Sequence, residues 1–330
     1  MFDTLPEDRR DTARSAISAA FGAEPTGVHP ITNGASGALI YRIELAGNPY
    51  LLRLENMERP DNDIGRGYAC MGTAAEAGIA PPLRYADAEE GVAIMDFLEA
   101  QSIFTYPTGR EELARDLGVL IARLQDTPTF PAVEKDYPSI VGELLEGLSG
   151  SGRFAPGLLD PHREGYARLV DVYGWDRDNT VSSHNDLNPG NIIFDGRRLW
   201  LIDWEIAFRN DPMIDLGNLS NYVAQTPELR DALLGAWLGR EPDRATRARL
   251  VLARQFARLA YACLMLSFSA QPGGPDEDLT APSLGEFHRM MRQGEVTLGA
   301  PDGLYRYGKV FLNEFLTNLS APDYLDAVAM

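Results

Sequence analysis

The change from strand-like to helix-like patterning near residue 100 constrains the fold of this 330-residue chain most strongly. Before that point, three segments have the alternation or the short apolar run of a β-strand, at 39–45, 50–54 and 92–98. Two helices are predicted in the same part of the chain, at 6–21 and 69–77. The turn residues at 47–49 join the first two strands, which predicts an antiparallel hairpin.

Helical periodicity dominates the rest of the chain. Apolar residues at helical spacing predict helices at 111–125, 140–148, 161–173, 227–238, 244–269 and 304–318. The exception is a predicted hairpin, with strands at 191–194 and 199–203 on either side of a turn. We therefore predict a two-lobed α+β fold, with a small antiparallel-sheet lobe at 1–98 and a larger, mainly helical lobe at 99–330.

The acidic charge balance excludes some classes of partner. The formal net charge is −18 at pH 7, whereas binding to nucleic acid or to anionic membranes needs clustered Lys and Arg. The same balance is compatible with a cationic small molecule. Cys70 and Cys263 lack metal-site spacing, no signal peptide is recognisable, and the longest nearly apolar run, 259–268, is about half of a bilayer span. We therefore expect a cytoplasmic protein that binds neither nucleic acid nor membranes.

Side chains suited to chemistry are concentrated at 184–218. Asp186 and Asn191 are five residues apart, and Asp203 follows the predicted hairpin. Phosphoryl transfer needs a carboxylate that orients a hydroxyl, oxygen ligands for Mg²⁺ and positive charge near the phosphates. A plain turn would explain the proline and glycine of this loop, but not an apolar strand that ends in an acid. The pattern therefore favours a phosphoryl-transfer site.

The run from His184 to Asn191, with the pattern HxDxxxxN, resembles the catalytic loop of eukaryotic-like kinases, and Ile202-Asp203 resembles their metal loop. The resemblance is closer to the aminoglycoside phosphotransferase and choline/ethanolamine kinase superfamily, whose loops read His-Gly/Asn-Asp-Leu-x-x-Gly-Asn. Asp203-Trp204-Glu205, Asn210 and the run from Asp215 to Asn218 are similar to the choline kinase branch. This resemblance implies a protein kinase-like fold and an ATP-dependent phosphotransferase that uses Mg²⁺.

The resemblance also implies roles for individual residues. Asp186 would be the catalytic base. His184 would belong to the same catalytic loop as a packing and hydrogen-bonding residue, rather than as an acid or base. Asn191 and Asp203 would hold Mg²⁺, and Glu205 would lie at the edge of the metal and the substrate.

In the first lobe, the resemblance implies a nucleotide site. The loop that covers the nucleotide phosphates would be formed by Asn33, Gly34, Ser36 and Gly37, although a plain hairpin loop explains this segment equally well. The strand at 50–54 resembles the strand that carries the phosphate-binding cation, here Arg53. The segment 94–99 resembles the hinge, where the backbone of Asp96 and Leu98 would hold adenine.

One departure from the family pattern concerns the partner of Arg53. The family helix normally carries a Glu that pairs with this cation, but the corresponding segment, 64–70, contains no acid. Asp61, Asp63 and Glu76 are the nearest alternatives. Because the helix Glu is missing, a nucleotide-binding pseudokinase stays open as the alternative to an active enzyme.

The substrate expected from the resemblance is a small-molecule alcohol. Aromatic residues that could bind a quaternary ammonium group are Trp204, Phe208, Tyr222, Trp237 and Tyr261, although aromatic residues in helices more often belong to the core. Tyr222 is the best single candidate, and Asp215 would brace the catalytic loop. A choline- or ethanolamine-like substrate and an aminoglycoside-type antibiotic or sugar both stay open. The use of GTP in place of ATP and the oligomeric state also stay open.

Overall fold

A five-stranded antiparallel sheet organises the first part of the chain. The computed structural model describes residues 2–31, 37–58, 63–270, 273–300 and 302–330. The sheet strands are β1 (Gly27–Ile31), β2 (Leu39–Leu45), β3 (Asn48–Leu54), β4 (Leu83–Asp87) and β5 (Val92–Asp96), in the order β1-β2-β3-β5-β4. Helix α1 (Arg10–Phe21) packs on this sheet, and Ile17, Ile43, Leu52, Leu54 and Ile94 are fully buried in their shared core.

The first compact unit comprises residues up to 132 together with 181–209. Besides the sheet it contains the helices α2 (Ile64–Glu76) and α3 (Arg110–Gln125), and the short strands β6 (Val181–Ser183), β7 (Ile192–Phe194), β8 (Leu199–Leu201) and most of β9 (Phe208–Asn210). Strands β7 and β8 form a hairpin in which Ile192 lies opposite Leu201, and β6 pairs with β9. Burial alternates along β7 and β8, since the first and third residues of each strand are buried and the middle one is partly buried.

The second compact unit, 133–180 and 210–330, is helical. Its helices are α4 (Tyr137–Gly150), α5 (Asp160–Tyr173), α6 (Met213–Tyr222), α7 (Pro227–Leu238), α8 (Arg244–Phe268), α9 (Leu284–Arg292), α10 (Gly303–Leu319) and α11 (Pro322–Val328). Helix α8 lies at the centre, against α4, α5, α6, α10 and α11. It is long and apolar enough to cross a membrane, but 83% of its apolar window is buried in the fold, as in the core helix of a soluble protein.

The predicted α+β arrangement and most predicted elements agree with the structure. Each helix predicted after residue 100 is present to within three residues at either end. The sequence patterns did not reveal β1 and β4, which are the two edge strands of the sheet. Pro30 interrupts β1, and a register shift between Leu83 and Tyr85 interrupts β4, so neither has a clean strand pattern. The lobes at 1–98 and 99–330 stay a prediction.

Candidate functional site

The loop between β6 and β7 begins with a buried histidine. His184 is fully buried, and its Nε2 donates to the backbone oxygen of Ile202 at 2.8 Å. Its Nδ1 accepts from the amide of Asp186 at 3.3 Å, and its ring lies against the Trp204 indole, 4.6 Å between centroids. Because the backbone engages both ring nitrogens, this histidine holds the loop against the segment after β8 and is unsuited to proton transfer.

Two amide side chains hold the carboxylate of Asp186. Oδ1 accepts from Asn188 Nδ2 at 2.9 Å, and Oδ2 accepts from Asn191 Nδ2 at 2.9 Å. Asn191 Nδ2 also donates to the backbone oxygen of Asp186 at 2.8 Å. These bonds favour the ionised form of the carboxylate and fix its orientation. Both of the predicted residues, Asp186 and Asn191, are therefore brought together.

A left-handed residue follows His184 in this loop. Asn185 has φ = 68°, a conformation that Asn tolerates better than most residues. Its Nδ2 donates to the backbone oxygen of Ile206 at 3.0 Å, with a longer bond to that of Phe208 at 3.3 Å. The loop is therefore tied to the segment after β8 through the side chain of Asn185 as well as through His184.

Asp203 follows β8 in a strained backbone conformation. Its φ is 68°, which is uncommon for a residue other than glycine and costs free energy that the surrounding structure must supply. The amide of the preceding residue, Ile202, donates to the backbone oxygen of Asn191 at 3.0 Å, so the two predicted metal ligands lie at the same end of the β7–β8 hairpin, one before β7 and one after β8. Asp203 Oδ1 is buried and accepts no hydrogen bond, and its nearest cation is Arg53 Nη1 at 3.4 Å. A buried acceptor of this kind is suited to a cation.

Arg53 lies on β3 among three carboxylates. Its Nε donates to Glu55 Oε1 at 2.6 Å, its Nη1 lies 3.4 Å from Asp203 Oδ1, and its Nη2 pairs with Glu205. The side chain is only 12% exposed. Burial lowers the pKa of Arg53, but the charges of Asp203, Glu55 and Glu205 outweigh burial and raise it. The guanidinium is therefore held permanently charged beside the acidic residues.

Neither Asp63 nor Glu76 is a partner of Arg53. Asp63 caps α2 by accepting from the amide of Arg66 at 3.0 Å, and Glu76 is the last residue of that helix. Asp61 lies outside the described residues. We expected Arg53 either to pair with an acid of this region or to lack an acidic partner. Among the described residues, Glu55 and Glu205 instead supply the negative charges that pair with it.

Glu55 is the functional candidate that the sequence reasoning missed. It is 6% exposed, and its amide donates to the backbone oxygen of Gly91 at 2.8 Å, which continues the sheet past β3. The available signal was its spacing from Arg53, because residues two apart on a strand lie on the same face.

Helix α2 reaches the site through its backbone and an arginine instead of a glutamate. A Cβ on Gly67 would come within 3.4 Å of the backbone oxygen of Trp204, so α2 passes close to the segment after Asp203. Arg66 Nη2 donates to the backbone oxygen of Glu205 at 3.0 Å. The small residue permits this approach, and the arginine fixes the backbone of Glu205.

The predicted nucleotide residues are only partly observable. Asn33, Gly34 and Ser36 lie outside the described residues, and Gly37 is an exposed residue before β2. Asp96 ends β5, and its carboxylate accepts both Nε and Nη2 of Arg84, at 2.6 and 2.7 Å. The amide of Asp96 donates to the backbone oxygen of Pro82 at 3.0 Å. The adenine contacts predicted for Asp96 and the partly buried Leu98 stay a prediction.

Residues predicted for substrate binding and for support lie in both units. Asp215 is fully buried in α6, and its bracing role stays a prediction. Tyr222 is partly buried at the end of α6, with its ring 5.8 Å from that of Tyr261 and 6.1 Å from that of Phe311. The other aromatic candidates are the partly buried Trp237 and the core residues Trp204 and Phe208.

The donors at Asn191 and Asp203 fit Mg²⁺. Mg²⁺ takes oxygen ligands, of which one or two come from the protein and the others from phosphates and water. Asn191 uses its Nδ2 for Asp186, so its Oδ1 is the atom suited to a metal, together with the buried Oδ1 of Asp203. Within the described part of the chain, no group of three or more His, Cys, Asp and Glu side chains has metal-binding geometry, which is compatible with a site completed by phosphate oxygens.

Solved kinases have the same fold. A choline/ethanolamine kinase family protein from Mesorhizobium loti is 21% identical, with a TM-score of 0.71 over 97% of both chains. The choline kinase LicA from Streptococcus pneumoniae is 15% identical, with a TM-score of 0.65 over 94% of this chain and 99% of that one. A spectinomycin phosphotransferase, solved with ADP and spectinomycin, is 13% identical, with a TM-score of 0.57 over 97% of both chains. The predicted α+β, protein kinase-like fold is confirmed.

Sequence comparison matches a short segment of curated relatives and a longer span of a family model. Protein LicA of Haemophilus influenzae is 39% identical over 51 residues, which are 16% of this chain and 19% of that protein. The matches span less than a fifth of the length of the curated relatives. The sequence model of the phosphotransferase enzyme family, in contrast, matches residues 27–250. That span is more than half of the chain and includes both Arg53 and the loop of Asp186, and the chain therefore belongs to the phosphotransferase enzyme family.

Proposed function

We propose that this protein is an ATP-dependent kinase that phosphorylates a hydroxyl group of a small molecule. The observation that carries the proposal is the carboxylate of Asp186, which Asn188 and Asn191 hold in place while the neighbouring Asp203 keeps a buried oxygen without a hydrogen bond. A fixed carboxylate beside a cation site is the arrangement that phosphoryl transfer needs. Membership of the phosphotransferase family supports the same reaction class.

Each side chain has a proposed task. Asp186 orients the substrate hydroxyl and accepts its proton, since its two amide partners leave lone pairs for this bond. Asn191 and Asp203 hold Mg²⁺, which supplies charge neutralisation at the phosphates when it is bound. Arg53 provides a permanent positive charge for the nucleotide phosphates, and Glu205 sets its direction by pairing with it.

The proposed substrate is an amino alcohol of the choline or ethanolamine type. Its support is the similarity to choline and ethanolamine kinases, and Tyr222 stays the residue proposed to contact the ammonium group, because aromatic faces attract such a cation. An antibiotic is the second candidate, favoured by the similarity to a spectinomycin phosphotransferase.

The pseudokinase alternative rested on the missing helix Glu that would pair with Arg53. The ion pairs of Arg53 with Glu55, Asp203 and Glu205 remove that reason. An active enzyme is therefore the proposal that we retain.

The test is ADP release from MgATP in the presence of choline, ethanolamine, sugars and aminoglycosides. We expect one class to stimulate release, and Asp186→Asn to lower the stimulated rate by at least about 10³-fold, because it removes the proton acceptor and retains the shape. Asp171→Asn, at an exposed position of α5, is the matched control and should keep full activity. Equal rates in Asp186→Asn and wild type would contradict the proposal.

A further inference from the structure

Two arginines are buried side by side in the central helix of the second unit. Arg254 and Arg258 lie one turn apart on α8 and are 6% and 3% exposed. Arginine at this depth is rare unless a partner compensates its charge, since moving a charge out of water costs several kcal/mol. The pair therefore needs an explanation beyond packing.

Neither guanidinium is fully compensated. Arg254 Nε and Arg258 Nη1 are buried without a hydrogen-bond partner, and the described residues contain no carboxylate within ion-pair distance of either side chain. A buried donor without a protein partner in a native fold needs an explanation, and a bound water or ion is one that supplies the acceptor.

The surroundings add a third positive charge. Arg230 of α7, with a side chain 13% exposed, lies 3.6 Å from Asp323 of α11. Glu314 of α10 is the other acid that acts on the pair. Three guanidinium groups thus share two carboxylates, which leaves one positive charge uncompensated.

The electrostatic balance agrees with this count. Burial lowers the pKa of Arg258, Glu314 and Asp323 raise it and Arg230 lowers it, which together leave it at about 10. The pKa of Arg254 is lowered by burial and then by Arg258 and Arg230. The two acids therefore only partly offset burial and mutual repulsion, and a bound anion would offset the rest.

A purely structural ion network is the competing explanation. In such a network Glu314 and Asp323 would lie directly on the buried pair and fill its donors. Instead, Asp323 is 45% exposed and pairs with Arg230, and the inner donors stay without partners. Asp323 therefore lies at the exposed edge of the cluster, and the guanidinium groups of Arg254 and Arg258 form its positively charged interior.

We propose that Arg230, Arg254 and Arg258 form a buried binding site for an oxyanion, the carboxylate or phosphate group of a small molecule. The planar donor fork of arginine matches such groups, with two parallel hydrogen bonds, and one anion balances the uncompensated charge. The site is independent of the proposed phosphoryl transfer, because none of its residues belongs to the catalytic loop or to the ion pairs of Arg53.

The test measures the binding of sodium phosphate and of sodium acetate by calorimetry and by thermal unfolding, against sodium chloride at equal ionic strength. We expect one of the two oxyanions to bind wild type and raise its Tm. Arg258→Met should lose this effect. Arg247→Met, on the same helix but 40% exposed and paired with Asp231, should retain it.

A second variant decides the question if Arg258→Met does not fold. Glu314→Gln removes an acid that competes with the ligand, so the oxyanion Kd should fall several-fold, whereas in a structural network this change would only destabilise the fold. Absence of oxyanion binding to wild type, or an unchanged Kd in Glu314→Gln, would overturn the proposal. So would an oxyanion effect that disappears in Arg53→Met, since it would place the anion at the proposed nucleotide site.

Discussion

At the scale of single residues, the arrangement around Arg53 explains how acidic side chains coexist in the proposed site. Glu55, Asp203 and Glu205 would repel one another without the guanidinium between them. Their summed attraction outweighs the desolvation of Arg53, whose pKa is raised despite burial. The cation therefore stabilises the acidic site before any ligand binds, and in the proposed role it would exchange carboxylates for phosphate oxygens when a nucleotide arrives.

Glu55 is expected to control that exchange. Glu55→Gln retains the hydrogen bond to Arg53 Nε and removes the charge, so Arg53 should shift toward Asp203 and Glu205. We predict a fall of about tenfold in kcat/KM for ATP, which corresponds to about 1.4 kcal/mol of transition-state stabilisation. Steady-state ADP release at varied ATP checks this. Glu143→Gln, whose side chain is 59% exposed and pairs with Lys135, should leave kcat/KM unchanged, and an equal loss in both variants would contradict a specific role.

His162 gives a residue-scale prediction on stability. It is fully buried in α5, its Nε2 donates to the backbone oxygen of Leu312 at 3.2 Å, and burial lowers its pKa to about 4. Its ordinary value is 6.5, so below that pH the unfolded chain binds a proton that the folded chain does not. The free energy of unfolding should therefore fall between pH 6.5 and 4, by up to roughly 3 kcal/mol from this group.

Urea unfolding of wild type and His162→Gln at pH 7 and pH 5 measures this effect. Glutamine can keep the bond to Leu312 and does not titrate, so the variant should lose much less stability between the two pH values. The same pH dependence in both proteins would assign the acid sensitivity to other groups.

At the scale of elements, the contact between α6 and α8 depends on one glycine. A Cβ on Gly217 would lie 2.9 Å from the backbone carbon and 3.0 Å from the backbone oxygen of Ala253. Asn221 Nδ2 reinforces the same contact by donating to the backbone oxygen of Arg254 at 3.1 Å. The two helix backbones are thus in direct contact, and neither can yield as a flexible side chain would.

Gly217→Ala should therefore destabilise the protein by about 1–3 kcal/mol, the usual cost of overpacking a rigid contact. The matched control is Gly147→Ala in α4, where a Cβ meets nothing within 4 Å. At that position the higher helix propensity of alanine should raise the free energy of unfolding by about 0.5–1 kcal/mol. Urea unfolding measures both changes, and a neutral Gly217→Ala would mean that α6 and α8 can move apart at little cost.

The elements that the sequence predicts well are those with a strong local pattern. Helix α3 and the β2–β3 hairpin follow from leucine spacing and strand alternation, whereas the edge strands β1 and β4 lack such a pattern. The loop of Asp186 was predictable because its functional side chains lie within a few residues of one another along the chain, at a spacing that phosphoryl transfer requires. The roles of Glu55 and of the buried arginine Arg258 were not, because a charge in a periodic pattern indicates solvent until tertiary packing places it inside.

At the scale of the whole molecule, the net charge of −18 and the internal cations act in opposite directions. The acidic surface repels free nucleotides, so binding must come from local positive charge and from the metal. Arg53 supplies a fixed charge, but three carboxylates already share it. Nucleotide affinity should therefore depend strongly on Mg²⁺, which neutralises both the ligand and Asp203.

This dependence is measurable as a shift in Tm. A ligand at about one hundred times its Kd stabilises the folded state by about 2.7 kcal/mol, which should raise the Tm of wild type by about 5 °C or more with ADP and Mg²⁺. ADP with EDTA should give a much smaller shift. In Asp203→Asn the shifts with and without Mg²⁺ should converge, because the metal ligand is weakened while Arg53 remains. The control Asp171→Asn should behave as wild type. Equal shifts in wild type with Mg²⁺ and with EDTA would show that the nucleotide binds without the metal, which would exclude Asn191 and Asp203 as its ligands.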